Sequence, residues 1–562
     1  MMRTLSMFLC QLPSTGCFTG LVLAFLPFAI QGAEPSAPAP PRLHEAAKPS
    51  AVIPGAPQAA DVCMRSLRPR PMNTGDPHNT LDAIQGFHVT WLEWTYGNDA
   101  AFIERVHKLG VTYGAATAAG SYVGNVPVEQ WNVVDLDGNR LVAPWMRQWK
   151  HPNPWGCANN PEFRAGHVRA AVAAIEVGAD VLQRDEPGQN QGAVGWGGCF
   201  CDHCMKAFPK WLQAHADPAV LKRLGVEDLD RFDYREYLRA KDAPVGDAFR
   251  RWPGDELKEY FQRFQTDSTV AFNVWWREQL DKHCGRRVPV SCNNGARTWT
   301  DVQLAFDYCI GELSAAHAQP AHLYATMREA ASHGKTQTVT MPLRRDSLET
   351  PDWIRHTRQT IATMYAVGGH IEMPWDTYLP TPDAQRYFGN PADYADLTAF
   401  VRGMAAWLNG YEDAFAFGKG IEDDRFPANA PPVVFANDAE ELFAFVRAKP
   451  GQPAAPVVIH LLDWREAPRP LRVSIRPEAF FGTGPLRFRL FTPVAAYDKA
   501  AHDRAFETKD YRALVHEVEV GRGIVNTVDL PALAPWGVLI VEPDLSIPVD
   551  APSRKQPGGQ QR

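Results

Sequence analysis

Three glutamates in this chain close short apolar runs, where a carboxylate is expensive unless it serves a purpose. Glu186 follows the run DVLQRD at 180–185 and precedes Pro187-Gly188, where the chain must turn. Glu312 closes FDYCIGE, an otherwise apolar stretch in which a lone acid is hard to explain as a solvated face. Glu372 in GHIEMPWDTY alternates with Ile371 and Met373, so as a strand it shares a side with His370 and Pro374. Two carboxyl groups in one cleft can divide labour. One keeps its proton and gives it to a leaving group; the other stays ionised to attack or to activate water. Glu186, Glu312 and Glu372 are therefore the candidate catalytic residues. The structural alternatives are an ion pair between Glu186 and Arg184 and a buried, hydrogen-bonded Glu372.

A second cluster suits a metal. Setting aside Cys10 and Cys17 near the amino terminus, CFCDHC places Cys199, Cys201 and Cys204 within six residues. That spacing wraps a tetrahedral ion more readily than it forms separate bridges. Cys157, in PWGCANNP, is the best fourth ligand, with His203 behind it. A zinc ion held by Cys157, Cys199, Cys201 and Cys204 has no open position for water, so it would be structural. Disulfides are the default for an exported chain and remain the alternative. A redox role for the CxxC at 201–204 is disfavoured, because no thioredoxin-like unit surrounds it.

These residues need a scaffold. From Gly86 onward, short β-branched or aromatic runs alternate with amphipathic helical stretches, the pattern of parallel strands joined by helices. Strands are expected at 86–94, 111–117, 142–149, 180–185, 288–293, 306–312, 336–342 and 369–375, which suits a closed (β/α)8 barrel, an α/β fold of the TIM type. A helix over 162–177 presents Ala165, Val168, Ala171, Val172 and Ile175 on one face and stops at Gly178. The stretch 187–285, with its cysteines and WWREQLDKHC, reads as an insertion at a strand end, where barrels build substrate clefts. Beyond about 425 the texture becomes short alternating strands (PPVVFAN, LFAFVRA, PVVIHLLDW, LRVSIRP, LRFRLFT, HEVEVGRG, GVLIVEP), an all-β sandwich. The expected domains are a TIM barrel over 59–425, a β sandwich over 426–547 and a disordered tail from 548.

At 562 residues, 45% of them apolar and 22% charged, the chain is a globular protein of more than one folded part. A net charge of -7 without a long basic run argues against nucleic acid or an anionic membrane surface. Arg3, the apolar run from Leu21 to Ile30 and the small residues Gly32 and Ala33 make a secretory signal over 1–33, hence a secreted or periplasmic protein. Residues 34–58, rich in Pro and Ala, form a linker. No segment is long and apolar enough for an integral membrane helix, and Cys17 precedes the apolar run, which disfavours lipidation.

The succession Cys157, NNPEFR, a helix, a strand ending in Arg184-Asp185-Glu186, then CFCDHCMKAFPKWL resembles family 42 glycoside hydrolases of clan A, over roughly 150–215. The resemblance implies a TIM barrel, a structural zinc on the four cysteines, no organic cofactor, a carbohydrate substrate, a homo-oligomeric assembly as in that family, and Glu186 as acid/base. It departs in two places. Asp185 stands where the family has Asn, adding a like charge that would raise the pKa of Glu186, and the expected seventh strand has no Glu for a nucleophile, which leaves the partner to Glu312 or Glu372. On this view Asp185, His88, Glu93, Asn293, Asn294 and Asp376 would hydrogen-bond sugar hydroxyls. Trp94, Trp299, Trp375 and Tyr378 would stack on sugar rings. A non-catalytic carbohydrate-binding protein is the alternative. A zinc peptidase or esterase is disfavoured, since no HExxH or GxSxG motif adjoins a suitable strand.

Overall fold

The computed structural model describes residues 41–67, 69, 78–118, 127–295, 297–341, 350–377, 379, 381, 383–436 and 440–546. The expected signal segment, the tail from 548 and Tyr378 lie outside them. Eight parallel strands close into a barrel in chain order: β1 (Cys63–Arg65), β2 (Trp91–Thr95), β3 (Thr112–Ala118), β4 (Val181–Asp185), β5 (Val290–Asn293), β6 (Tyr308–Glu312), β7 (Gln337–Thr340) and β8 (His370–Pro374). The fold is the TIM barrel that the alternation of strands and helices predicts.

Two expected strands differ. The run at 142–149 contains a short 3-10 turn, Pro144–Met146, outside the barrel, and the barrel takes its first strand from Cys63–Arg65 instead. Three residues, all buried, cannot display a period, so β1 has no signature in the sequence. The expected first strand is therefore β2, and only its second half, from Trp91, pairs with its neighbours. The two errors cancel in the numbering, and β4 remains the strand leading to Glu186.

Side-chain parity divides the barrel strands, apart from β2 at Trp94. Leu92, Leu182, Cys292, Cys309, Val339, Ile371 and Met373 join the large apolar cluster shared with the surrounding helices. Their neighbours Cys63, Trp91, Val181, Tyr308 and Ile310 form small clusters of their own, inside the barrel. The same alternation turns Arg65, Glu93, Asp185, Asn293, Glu312 and Glu372 inward.

The helices that feed the strands are capped by their own sequence. Pro161–Glu176 begins at Asn160, whose side chain accepts from the Glu162 and Phe163 amides, with Pro161 at its first position. The 29-residue helix Glu256–Cys284 begins at Asp255, which accepts from the Leu257 amide, and ends at Gly285 in the left-handed region. Against it packs a third core, built from residues 133–157 and 193–264, which includes Cys157, Cys199 and Cys204.

The carboxyl-terminal region forms two antiparallel sheets. The six-stranded one orders β15 (Val515–Gly523), β14 (Leu486–Pro493), β17 (Trp536–Pro543), β12 (Val457–Asp463), β11 (Leu442–Ala448) and β9 (Glu412–Phe417). The other orders β10 (Val433–Phe435), β13 (Leu471–Ile475) and β16 (Thr527–Leu530). Strand alternation explains the layers: Phe443 and Phe445 join the barrel-side cluster, whereas Leu442, Ala444 and Val446 join the cluster between the sheets.

Candidate functional site

Acidic side chains from four strands meet at the carboxyl end of the barrel, the end where its loops carry chemistry. Asp185, the last residue of β4, accepts a hydrogen bond from the Tyr96 hydroxyl at 2.5 Å and another from the Asn293 side-chain amide at 3.3 Å. Glu186 comes next and by strand parity would face the helices, but its φ of +57° breaks the alternation. A non-glycine residue held in that region is costly and marks a position the surroundings over-determine. Glu186 is half-buried, and burial, reinforced by the charges of Asp185 and Glu312, pushes its carboxyl up to about 8. Arg184 is not its partner. That guanidinium points the other way, over the rings of Trp276 and Phe272, with Nη1 3.0 Å from His167 Nδ1.

Glu312 ends β6 with its side chain 45% exposed, open to whatever enters the mouth. Its Oε1 lies 3.8 Å from Nη1 of the buried Arg65, which stacks 3.5 Å above the Trp94 ring. Glu372 is enclosed: it is fully buried, and neither carboxyl oxygen has a hydrogen-bond partner among the described residues. Burial raises its pKa well above the ordinary value; Arg65 opposes this, and Glu93, Glu312 and Asp185 add to it. Glu93 is also buried, pushed up to about 7 by desolvation against a hydrogen bond from the Tyr308 hydroxyl. Gly114 makes room for it, since a Cβ there would come within 3.1 Å of Glu93 Cγ. The barrel thus holds two enclosed acids below a rim of three that face the mouth.

Several expected contact residues stand elsewhere. His88 precedes β2 at the opposite end of the barrel, where its Nε2 lies 2.8 Å from Nδ1 of His502 in the helix Lys499–Thr508. It cannot reach a ligand at the mouth, and desolvation lowers its pKa to about 3. Trp94 is buried beneath Arg65 rather than open as a platform; its φ of +50° and the register shift between Leu92 and Thr95 turn it inward beside Tyr308 and Ile310. Trp375 is buried against Phe87, with ring centroids 6.1 Å apart, and Trp299 stacks on His333. Asn294 exchanges hydrogen bonds with Gln337 at 2.7 and 3.0 Å, so its amide is spent on strand-end packing. Asp376 accepts from Ser66 Oγ at 3.2 Å and from the Leu67 amide, which fixes the chain leaving β1. Of the expected binding residues, Asp185, Glu93 and Asn293 join the acids. Arg65, Tyr96 and Tyr308 were missed. The only signal for Arg65 was a cation in the apolar run VCMRSL.

The sulfur atoms of Cys157, Cys199, Cys201 and Cys204 all lie within 4.8 Å of one another, and none is in a disulfide. Cys157 Sγ is 3.5 Å from both Cys204 Sγ and Cys201 Sγ, close to the spacing of about 3.8 Å set by four zinc–sulfur bonds on a tetrahedron. Amide donors point at the sulfurs: Asn159 Nδ2 at 3.4 Å from Cys204, and Asn190 Nδ2 at 3.5 Å from Cys157 and 3.6 Å from Cys204. Such donors suit thiolates. The four cysteines could hold a metal ion.

No family model matches the chain. It is 24% identical over 302 residues to an α-agarase of Alteromonas agarilytica, covering 50% of this chain and 21% of that protein. A second α-agarase, from Thalassotalea agarivorans, is 24% identical over 300 residues, covering 49% and 20%. The chain therefore spans about a fifth of the length of the curated relatives it matches. Among solved structures, a cycloisomaltooligosaccharide glucanotransferase of Paenibacillus sp. superposes with a TM-score of 0.50 at 9% identity, covering 86% of this chain and 85% of that one, a likeness of fold. The chain is thus similar in sequence to α-agarases over about half of its length, and its barrel fold is shared with the glucanotransferase.

Proposed function

We propose that this protein is an exported glycoside hydrolase that cleaves a glycosidic bond in an oligo- or polysaccharide by carboxylate acid/base chemistry. One observation carries the reading: Glu186 from the end of β4 and Glu312 from the end of β6 stand at one rim, in electrostatic reach of each other, in contrasting environments. Glu186, with its pKa near 8, is protonated at neutral pH and donates to the glycosidic oxygen as that bond breaks. Glu312, beside Arg65, is the partner that attacks the anomeric carbon or takes a proton from the attacking water. In the first case, water then cleaves the glycosyl ester and Glu186 recovers its proton. The enclosed Glu372 takes no direct part in this scheme and acts as a buried neighbour that tunes the rim. The relatives' activity makes agarose the first polymer to try.

A second division of labour has its own support. Asp185 faces inward and is held by two hydrogen-bond donors, as suits a nucleophile, and Glu312 would then be the proton donor. Structural zinc on the four cysteines, with the family 42 likeness of that segment, completes the proposal. The bound ion would pin the insertion to the barrel.

Release of reducing sugar from agarose and other polysaccharides, and of phenol from aryl glycosides, tests the activity. Substituting Glu186→Gln or Glu312→Gln should each lower kcat by about a thousandfold or more. Undiminished turnover in both variants rejects the site. A variant lacking the proton donor keeps activity on aryl glycosides whose leaving group needs no proton. One lacking the nucleophile loses it and is revived by azide. Applied to Asp185→Asn, Glu186→Gln and Glu312→Gln, that contrast assigns the roles.

A further inference from the structure

Among the described residues, three aromatic side chains are exposed: Tyr96 at 38%, Trp145 at 42% and Trp149 at 43%. All three lie on chain leaving the carboxyl ends of β2 and β3, the end of the barrel where the acids converge. Leaving indole in water forgoes the gain of burying it, and exposed aromatics gathered on one face mark contact surfaces. Tyr96 is accounted for by its bond to Asp185; the two tryptophans are not.

Trp145 is held rigidly. Its ring meets those of Trp155 and Trp196 edge-on, with centroids 5.8 and 5.4 Å away and interplanar angles of 87° and 81°. Arg147, between the two exposed indoles, makes two hydrogen bonds to Asp247 at 2.5 and 2.8 Å, which ties the turn to the insertion. Trp155 donates its indole N–H to the carbonyl of Gln189 at 3.1 Å, only three residues beyond Glu186. From the proton-donor candidate to the exposed indole there is thus a short path of one hydrogen bond and one ring contact. A pre-set apolar face fixed in this way costs a ligand little ordering.

We propose that Trp145 and Trp149 form a second carbohydrate subsite, which grips a polysaccharide chain beyond the bond being cut. The ligand class follows from chemistry: an indole face is apolar and wide enough to cover the C–H face of a sugar ring, while the ring's hydroxyls stay in water. The substrate is then a polymer that runs from the carboxylates across the insertion. This inference rests on the glycosidase reading, but its test does not need turnover.

The probe is native gel electrophoresis of the full chain through dissolved agarose, a soluble galactan or soluble starch. Wild type and Glu186→Gln should both be retarded by at least one polymer. Trp145→Ala and Trp149→Ala should each weaken that retardation at least fivefold, and the double variant should abolish it. Trp145→Tyr, which keeps a flat ring, should retain most of it. Unchanged mobility in a polymer-free gel and an unchanged circular dichroism spectrum exclude misfolding as the cause. Retardation that survives the double substitution, or is absent with all three polymers, overturns the subsite. Loss of retardation in a protein that releases no sugar would instead sink the glycosidase reading and leave the subsite standing.

Discussion

Arg65 Nη1 lies 3.8 Å from Glu312 Oε1, so the shortest strand of the barrel supplies a buried cation to the most exposed acid of its rim. The guanidinium is fixed from below by the Trp94 ring. Replacing Arg65 by Met removes a charge that favours the ionised form of Glu312 while keeping bulk over the indole. The acidic limb of the kcat/KM profile should move to higher pH, with the loss of kcat/KM largest on that acidic side. An unmoved limb would show that Arg65 does not act on the ionised carboxylate.

Glu186 predicts the opposite limb. Its folded-state pKa near 8 lies above the ordinary value of 4.5, so the folded protein holds a proton that the unfolded chain releases between those two values. Stability is therefore lost as pH rises from 4.5 to 8 and constant below 4.5. Glu186→Gln should raise Tm at pH 8 and leave it nearly unchanged at pH 4. The same variant should lose the basic limb of its residual activity. An equal Tm effect at both values would contradict the raised pKa.

Glu372 separates enclosure from chemistry. Glu372→Gln keeps the shape and removes a carboxyl whose ionisation burial opposes, and should raise Tm at pH 8 while lowering kcat less than about tenfold, against about a thousandfold for Glu312→Gln. Glu372→Ala should instead destabilise by about 2–4 kcal/mol through the cavity it leaves. A kcat loss in Glu372→Gln as large as that in Glu312→Gln would place Glu372 in the reaction.

Metal content tests the cysteine cluster. Elemental analysis should find one zinc per chain, lost in Cys204→Ser. Chelation should lower Tm by about 5–15 °C, because the ion joins the segment around Cys157 to the insertion core. Since an ion held by four sulfurs leaves no open position for water, the metal-free protein below its Tm should keep measurable turnover. Full loss of activity with an unchanged Tm would reverse that assignment.

The His88 and His502 contact gives a probe of the other end. His88→Phe should preserve turnover at 25 °C, since His88 sits opposite the mouth, while lowering Tm through the lost bond to His502. A large fall in kcat without a change in Tm would return His88 to the site.

Local pattern alone made the class of molecule legible. Alternating runs and capped helices follow from periods of two and 3.6 residues, so the barrel, the trailing sheets and most of their strands could be named in advance. CFCDHC announced its cluster because the three cysteines are neighbours in sequence, and Cys157 joins them as expected. The acids were legible as exceptions, each a charge closing an apolar run. Tertiary structure decided which of them share a rim. Closure and register bring β4 and β6 to one mouth, the left-handed backbone at Glu186 and at Trp94 overrides strand parity, and β1 delivers Arg65 from a stretch too short to carry a period. Sequence spacing records what lies along one strand. The meeting of residues from separate strands, and the burial that sets their charges, exist only once the ring of strands has closed.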